Sequence, residues 1–148
     1  MVTLVGTQTE FLDAVKDLIE LDYDAAEAYD AAINRLENND YKEKLRQFKE
    51  DHDRHTRELT NLVQKHGEEA PDGPSGKQWL TKGKVVLADL MGDKAILMAM
   101  RSNEIDTNTA YDRLLDHEGM WDDAREIIKK GFEDEKHHKA WFDEILGH

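Results

Sequence analysis

Apolar residues recur along the chain at steps of three and four, in blocks separated by residues that end helices. Phe11, Val15 and Leu18, then Ala25, Tyr29, Ile33 and Leu36, form the first stripe, and Thr7 and Glu10 precede it at capping-box spacing. That pattern predicts a helix over 8–38. Past Asn38-Asn39, Asp40 is placed to cap a second helix with Tyr41, Leu45, Phe48, Leu59 and Leu62 on one face, ending near Gly67. GEEAPDGPSG at 67–76 holds both prolines and three of the nine glycines, so it is a loop and the expected long crossover. A third helical region is expected from Lys77, interrupted around Gly92-Asp93 and continuing with Leu97, Met100, Tyr111 and Leu114 on one face. Glu118-Gly119 breaks it, and Ala124, Ile128, Gly131, Phe142 and Ile145 keep the register of a fourth helix. Two hairpins joined by a long link predict an all-α, antiparallel four-helix bundle, one domain over 1–148.

The halves resemble each other. DYDAAEAYD at 22–30 aligns with EIDTNTAYD at 104–112, and EDHDRH at 50–55 with EDEKHH at 133–138, at offsets of 82 and 83 residues. Two matches in the same order, one indel apart, read as a duplicated helical hairpin.

Completing the stripes exposes their intruders. Steps of three and four give 15, 18, 22, 25, 29, 33 on helix 1, 41, 45, 48, 52, 55, 59, 62 on helix 2, 97, 100, 104, 107, 111, 114 on helix 3, and 124, 128, 131, 135, 138, 142, 145 on helix 4. Asp22, His52, His55, Glu104, Glu135 and His138 fall on these apolar rows, with Thr107 a milder case. Each stands near the middle of its helix, so antiparallel packing brings all six to one depth. A carboxylate buried alone costs several kcal/mol or becomes neutral, so three carboxylates and three imidazoles need compensation. A pair of divalent metal ions supplies it: these donors suit iron, manganese or zinc, and residues three apart on a helix reach one centre together. A metal-free hydrogen-bond network, or histidines at a wet bundle edge, would place the same residue types there. Asp51, Asp24, Asp106 and His137 lie off the stripes and are expected beside the ligands or in solvent; Tyr29 and Tyr111 are core residues whose hydroxyls need partners.

Composition narrows the alternatives. Only two prolines, and a 36% charged fraction, favour long helices with solvated outer faces. A net charge of −13 with no basic patch argues against nucleic acid. No cysteine means no disulfide, thiolate site or cysteine nucleophile, and no long apolar run or signal peptide is visible, so no membrane association and a cytoplasmic location are expected.

With these residues in place, the chain resembles the ferritin-like superfamily, which includes bacterioferritin and rubrerythrin. Its pattern is a Glu from helix 1, Glu-x-x-His on helix 2, a Glu from helix 3 and Glu-x-x-His on helix 4. Glu135-Lys136-His137-His138 matches the last of these, Glu104 followed seven residues later by Tyr111 matches helix 3, and Asp22 with Tyr29 repeats that spacing on helix 1. The stretch PDGPSGKQWLTKGKVVLADLMGDKAILMAM is also similar to a group of bacterial ferritin-like proteins of unknown function. The resemblance implies a ferritin-like bundle with metal ligands Asp22, His52, His55, Glu104, Glu135 and His138 around two iron ions, manganese or zinc being alternatives. In two places the chain departs from the pattern: Asp22 stands for a Glu, and His52 stands where a bridging Glu is expected. Those departures leave open one tightly held ion, two unsymmetrical ions, or zinc.

The leading functional expectation is a di-metal protein reacting with dioxygen or peroxide. Its alternatives are a non-catalytic or stress-related metal-binding bundle and a metal-free interaction module. No cofactor loop, nucleophile triad or phosphate cradle appears. A storage cage is disfavoured because no fifth helix follows helix 4; a homodimer is expected, with Trp79, Trp121 and Trp141 serving core or interface.

Overall fold

The computed structural model describes residues 2–77, 79–80 and 90–147. Four long helices carry the fold among these residues: α1 Phe11–Arg35, α2 Asn39–Lys65, α3 Asp93–Leu115 and α4 Arg125–Leu146, the last preceded by a 3-10 turn at Asp122–Ala124. α1 packs against α2 and α3, and α4 against α3 and α2. No strand occurs among the described residues, so this is an all-helical four-helix bundle. None of the described helices is long and apolar enough to cross a membrane.

The helix ends show which local signals decide. Asn38, rather than Asp40, caps α2, its Oδ1 accepting from the backbone N–H of Asp40 at 2.9 Å and of Tyr41 at 3.1 Å. The Thr7–Glu10 capping box does not form. Thr7 Oγ1 instead donates to the Leu4 carbonyl at 2.6 Å, closing a turn around Gly6, and α1 starts only at Phe11. The interruption expected around Gly92-Asp93 is found: Gly92 stands at φ 89° and a helix starts at Asp93. Residues 77, 79, 80 and 90–92 are not helical, and residues 78 and 81–89 of that expected stretch lie outside the described residues. Asp93 then anchors the helix: its carboxylate accepts from the backbone N–H of Glu37 at 2.9 Å and of Asn38 at 3.0 Å. This ties the start of α3 to the α1–α2 turn, so α3 runs antiparallel to α1 and α2 must reach it by the long crossover.

The predicted stripes become the core. Towards the α1–α2 turn, Ile33, Leu45, Phe48, Leu97, Met100 and Phe142 are buried; towards the other end, Val15, Leu18, Leu59, Leu62, Leu114 and Ile128 are. At roughly 1.5–3 kcal/mol for each large apolar side chain, these two layers supply the main drive for folding. Ile145 departs from its row, exposed at the last turn of α4. All three tryptophans pack within the chain: Trp79 donates from Nε1 to Glu20 at 3.0 Å, Trp121 stacks on His66 with ring centroids 3.8 Å apart, and Trp141 lies edge-on to Phe48 at 5.7 Å.

Candidate metal centre

Between the two apolar layers lies a polar one. Asp22, His52, Glu104 and Glu135 stand within about a residue of the midpoints of their helices, so the 1.5 Å rise per residue puts them at one height. His55 and His138 follow three residues after His52 and Glu135, on the same inward faces. All six are between 0% and 2% exposed.

They form two overlapping groups that could hold a metal ion. One is Asp22, His52, His55 and Glu135; the other is His52, Glu104, Glu135 and His138. In the first, His52 Nδ1 lies 2.8 Å from Asp22 Oδ1 and 3.4 Å from Glu135 Oε1, while His55 Nδ1 is 3.4 Å from both oxygens. In the second, Glu104 Oε1 lies 3.5 Å from His52 Nε2 and 3.3 Å from His138 Nδ1, and Glu135 Oε2 is 3.2 Å from His138 Nδ1. Two buried atoms in this layer, His52 Nε2 and Glu135 Oε1, have no hydrogen-bond partner.

Two walls surround the layer. On one, hydroxyls face the carboxylates. Tyr29 donates to Glu104 Oε1, Tyr111 donates to Asp22 Oδ2 at 2.7 Å, and the Thr107 hydroxyl lies 3.1 Å from both Glu104 Oε2 and Glu135 Oε2. On the other, carboxylates face the imidazoles. His138 Nε2 donates to Asp51 at 2.7 Å and His55 Nε2 to Asp134 at 2.9 Å, and Arg54 bonds to both aspartates. Asp51 and Asp134 are about a quarter exposed, so this wall meets solvent. Such partners orient an imidazole and fix which nitrogen it turns inward, here Nδ1 of His55 and of His138. Asn108 ties the helices behind the site, donating to the carbonyls of Glu104 at 2.7 Å and Glu135 at 3.0 Å.

Without metal, protons balance the charge. Burial pushes the His52 ring down, but Glu135, Asp22 and Glu104 outweigh it and raise its pKa to about 9. Burial also disfavours charge on His55 and His138; Asp134 and Asp22 for the first, and Glu104 and Asp51 for the second, reverse this and hold both well above the usual imidazole range. In turn, Asp22 and Glu104 overcome burial through their histidine neighbours and sit below the ordinary carboxylate range. Tyr29 and Tyr111 are pushed up by burial and by the facing carboxylates, so they remain donors.

All six side chains singled out from the stripes meet here. Of the off-stripe residues, Asp51 touches the site through His138, Asp24 is half-buried outside both groups, and His137 is exposed. Asp106 is a correction, because it is buried away from both groups and accepts from the Thr3 backbone N–H at 2.9 Å, pinning the N-terminal segment to α3. Asp134, Arg54 and Asn108 were not evident from periodicity. Asp134 could have been found as the repeat partner of Asp51, 83 residues earlier.

Residues 10–117 match the family described as Domain of unknown function (DUF2383). No curated protein matches the chain. The crystal structure of a conserved hypothetical protein, rv2844, from Mycobacterium tuberculosis superposes with a TM-score of 0.76 at 14% identity, covering 93% of this chain and 91% of that one. At that identity the likeness is one of fold, and the helical architecture is compatible with a ferritin-like bundle. The chain belongs to the Domain of unknown function (DUF2383) family.

Proposed function

We propose that the polar layer is a dinuclear transition-metal centre, with iron as its ion and dioxygen or peroxide as co-reactant. The observation that carries this reading is that His52 and Glu135 belong to both donor groups, so two ions would share a wall rather than occupy unrelated sites. Two orphaned buried donor atoms belong to those same residues, and an isolated buried polar atom is costly unless something ligates it. Several separations also fit ligands better than hydrogen bonds: at 3.3–3.5 Å they are long for the latter. Asp22 and His55 would hold one ion, Glu104 and His138 the other, with His52 and Glu135 between them. A bound iron pair supplies electron transfer to an oxygen species. Around it, Tyr29 and Tyr111 hold the carboxylates by O–H donation, Asp51 and Asp134 hold the imidazoles, and the apolar layers exclude water.

A second reading, zinc in a non-catalytic role, is favoured by the ligand count. Four protein donors per ion close a tetrahedral site, and at bond lengths of about 2.1 Å its donor–donor edges are roughly 3.4 Å, near the values found here. Fe(II) oxidation separates the two. Under air or peroxide, wild type is expected to oxidise added Fe(II) at least about tenfold faster than buffer, a barrier difference of about 1.4 kcal/mol, and Glu135→Ala is expected to lose that gain. A wild-type rate equal to buffer would rule out the redox reading. Tight zinc binding whose removal lowers the melting temperature would then favour the second.

A further inference from the structure

His52 differs from the other five residues in how it meets the layer. Its Nδ1 faces Asp22 and Glu135 at 2.8 and 3.4 Å, within the first donor group. Its other ring nitrogen, Nε2, faces Glu104 Oε1 at 3.5 Å, within the second, and has no hydrogen-bond partner. His55 and His138 each turn one nitrogen outward to an aspartate; His52 turns both inward. Its ring is held by the Tyr29, His55 and His138 rings, with centroids 5.3–5.6 Å away. We infer that His52 bridges the two metal ions through both ring nitrogens, as an imidazolate. This rests on the dinuclear reading above and specifies its bridge.

Charge favours that form. Two divalent ions bring four positive charges into a dry layer, and Asp22, Glu104 and Glu135 return three negative ones. Within the buried ligand set a neutral His52 would leave one positive charge, to be met only from the partly solvated Asp51, Asp134 and Arg54 wall, and burial of net charge is costly. Binding of the second ion to Nε2 breaks the remaining N–H bond and forms a nitrogen–metal bond, the proton passing to solvent; the imidazolate then supplies the missing negative charge, and no electron moves. A bridge across the ring also spaces the ions differently. Ions clamped in the usual two-metal arrangement lie about 3.5–4 Å apart, whereas ions on opposite sides of an imidazole ring must lie farther apart.

The test uses the wild-type chain loaded with Zn(II) for X-ray absorption and with Cu(II) for electron paramagnetic resonance. The expected pair of results is two Zn per chain with no Zn–Zn vector at about 4 Å or less, together with coupled Cu(II) spins whose signal on cooling falls below that of two isolated ions. His52→Glu is expected to bring in a Zn–Zn vector at about 3.5–4 Å. The wild-type spectra decide the matter however that variant folds. A short wild-type Zn–Zn vector would overturn the bridge in favour of Glu135 alone, and uncoupled Cu(II) spins would overturn it outright. A single ion per chain would also overturn it while leaving metal binding intact, whereas no uptake of either ion would overturn the underlying dinuclear reading.

Discussion

The α1–α2 and α3–α4 hairpins supply equivalent residues to the polar layer, yet neither completes its own half. Asp22 corresponds to Glu104, Tyr29 to Tyr111, Asp51 to Asp134 and His55 to His138. In the bundle every one of these groups serves the other hairpin: Tyr29 bonds to Glu104 and Tyr111 to Asp22, Asp51 to His138 and Asp134 to His55. The centre therefore exists only where the hairpins meet, and docking the hairpins builds it. Among the equivalent pairs that differ, two change the layer most. His52 stands opposite Glu135, the two residues shared by both donor groups, and Phe48 stands opposite Gly131. The second difference is a volume exchange. Phe48 packs on His138 with centroids 4.2 Å apart, whereas Gly131 leaves room for Tyr111, whose Cε1 would lie 2.5 Å from an added Cβ.

The largest expected effect falls on the layer that the halves share. In metal-free protein the three histidines have raised pKa values, so their stabilisation is complete below the unfolded value of 6.5 and fades as pH rises, for His52 through about 9. At about 1.4 kcal/mol per pKa unit, His52 alone contributes on the order of 3 kcal/mol. Asp22 and Glu104 have lowered values, so theirs is complete above the unfolded values of 3.8 and 4.5 and lost as pH falls. Urea denaturation of chelated protein is therefore expected to find highest stability between about pH 4.5 and 6.5, with a clear loss by about pH 8.5. Stability that is flat or rising over that alkaline range would contradict the proton-balanced layer.

Next come changes that remove the volume exchange. Phe48→Ala is expected to cost about 3–5 kcal/mol by opening a cavity. Gly131→Ala is expected to cost about 1–3 kcal/mol by overpacking against Tyr111. A neutral Gly131→Ala in thermal denaturation would show that the Tyr111 ring is not held where it bonds Asp22. Tyr29→Phe and Tyr111→Phe each remove one donor to a buried carboxylate, at about 1.5–3 kcal/mol. Equal costs would support the exchange of partners between halves; a cost in only one would break the symmetry.

Arg54→Ala should matter least for stability, at about 0–1 kcal/mol, because its aspartate partners are partly solvated. Its kinetic effect is expected to be larger. Arg54 ties Asp51 to Asp134 across the solvent-facing wall, so stopped-flow loading of Zn(II) should be faster in the variant. Unchanged loading would mean that ions reach the layer elsewhere.

Helical periodicity made the six inward residues legible because a 3.6-residue repeat fixes direction, and a polar residue on an apolar row contradicts the row. Asp134 escaped because it stands one position off the α4 row and reaches His55 only across the α2–α4 seam, which no single-helix pattern encodes. Asp106 escaped for the opposite reason: its partner is the Thr3 backbone, over a hundred residues away on a segment without periodicity. Asn38 and Asp40 are both good caps for α2, and the backbone geometry of the turn, which periodicity does not carry, decides for Asn38. Whether a shared residue bridges two ions depends on where both nitrogens of one ring point, and spacing along a chain carries no such information.

Elemental analysis of untagged protein, reconstituted in turn with Fe(II), Mn(II) and Zn(II), tests the dinuclear centre most directly. Wild type is expected to hold close to two ions per chain, and His52→Ala combined with His138→Ala fewer than about one, since one ion loses two of its four donors and the other loses one. A wild-type chain that stays metal-free under all three ions, or a double variant that retains both, would contradict it.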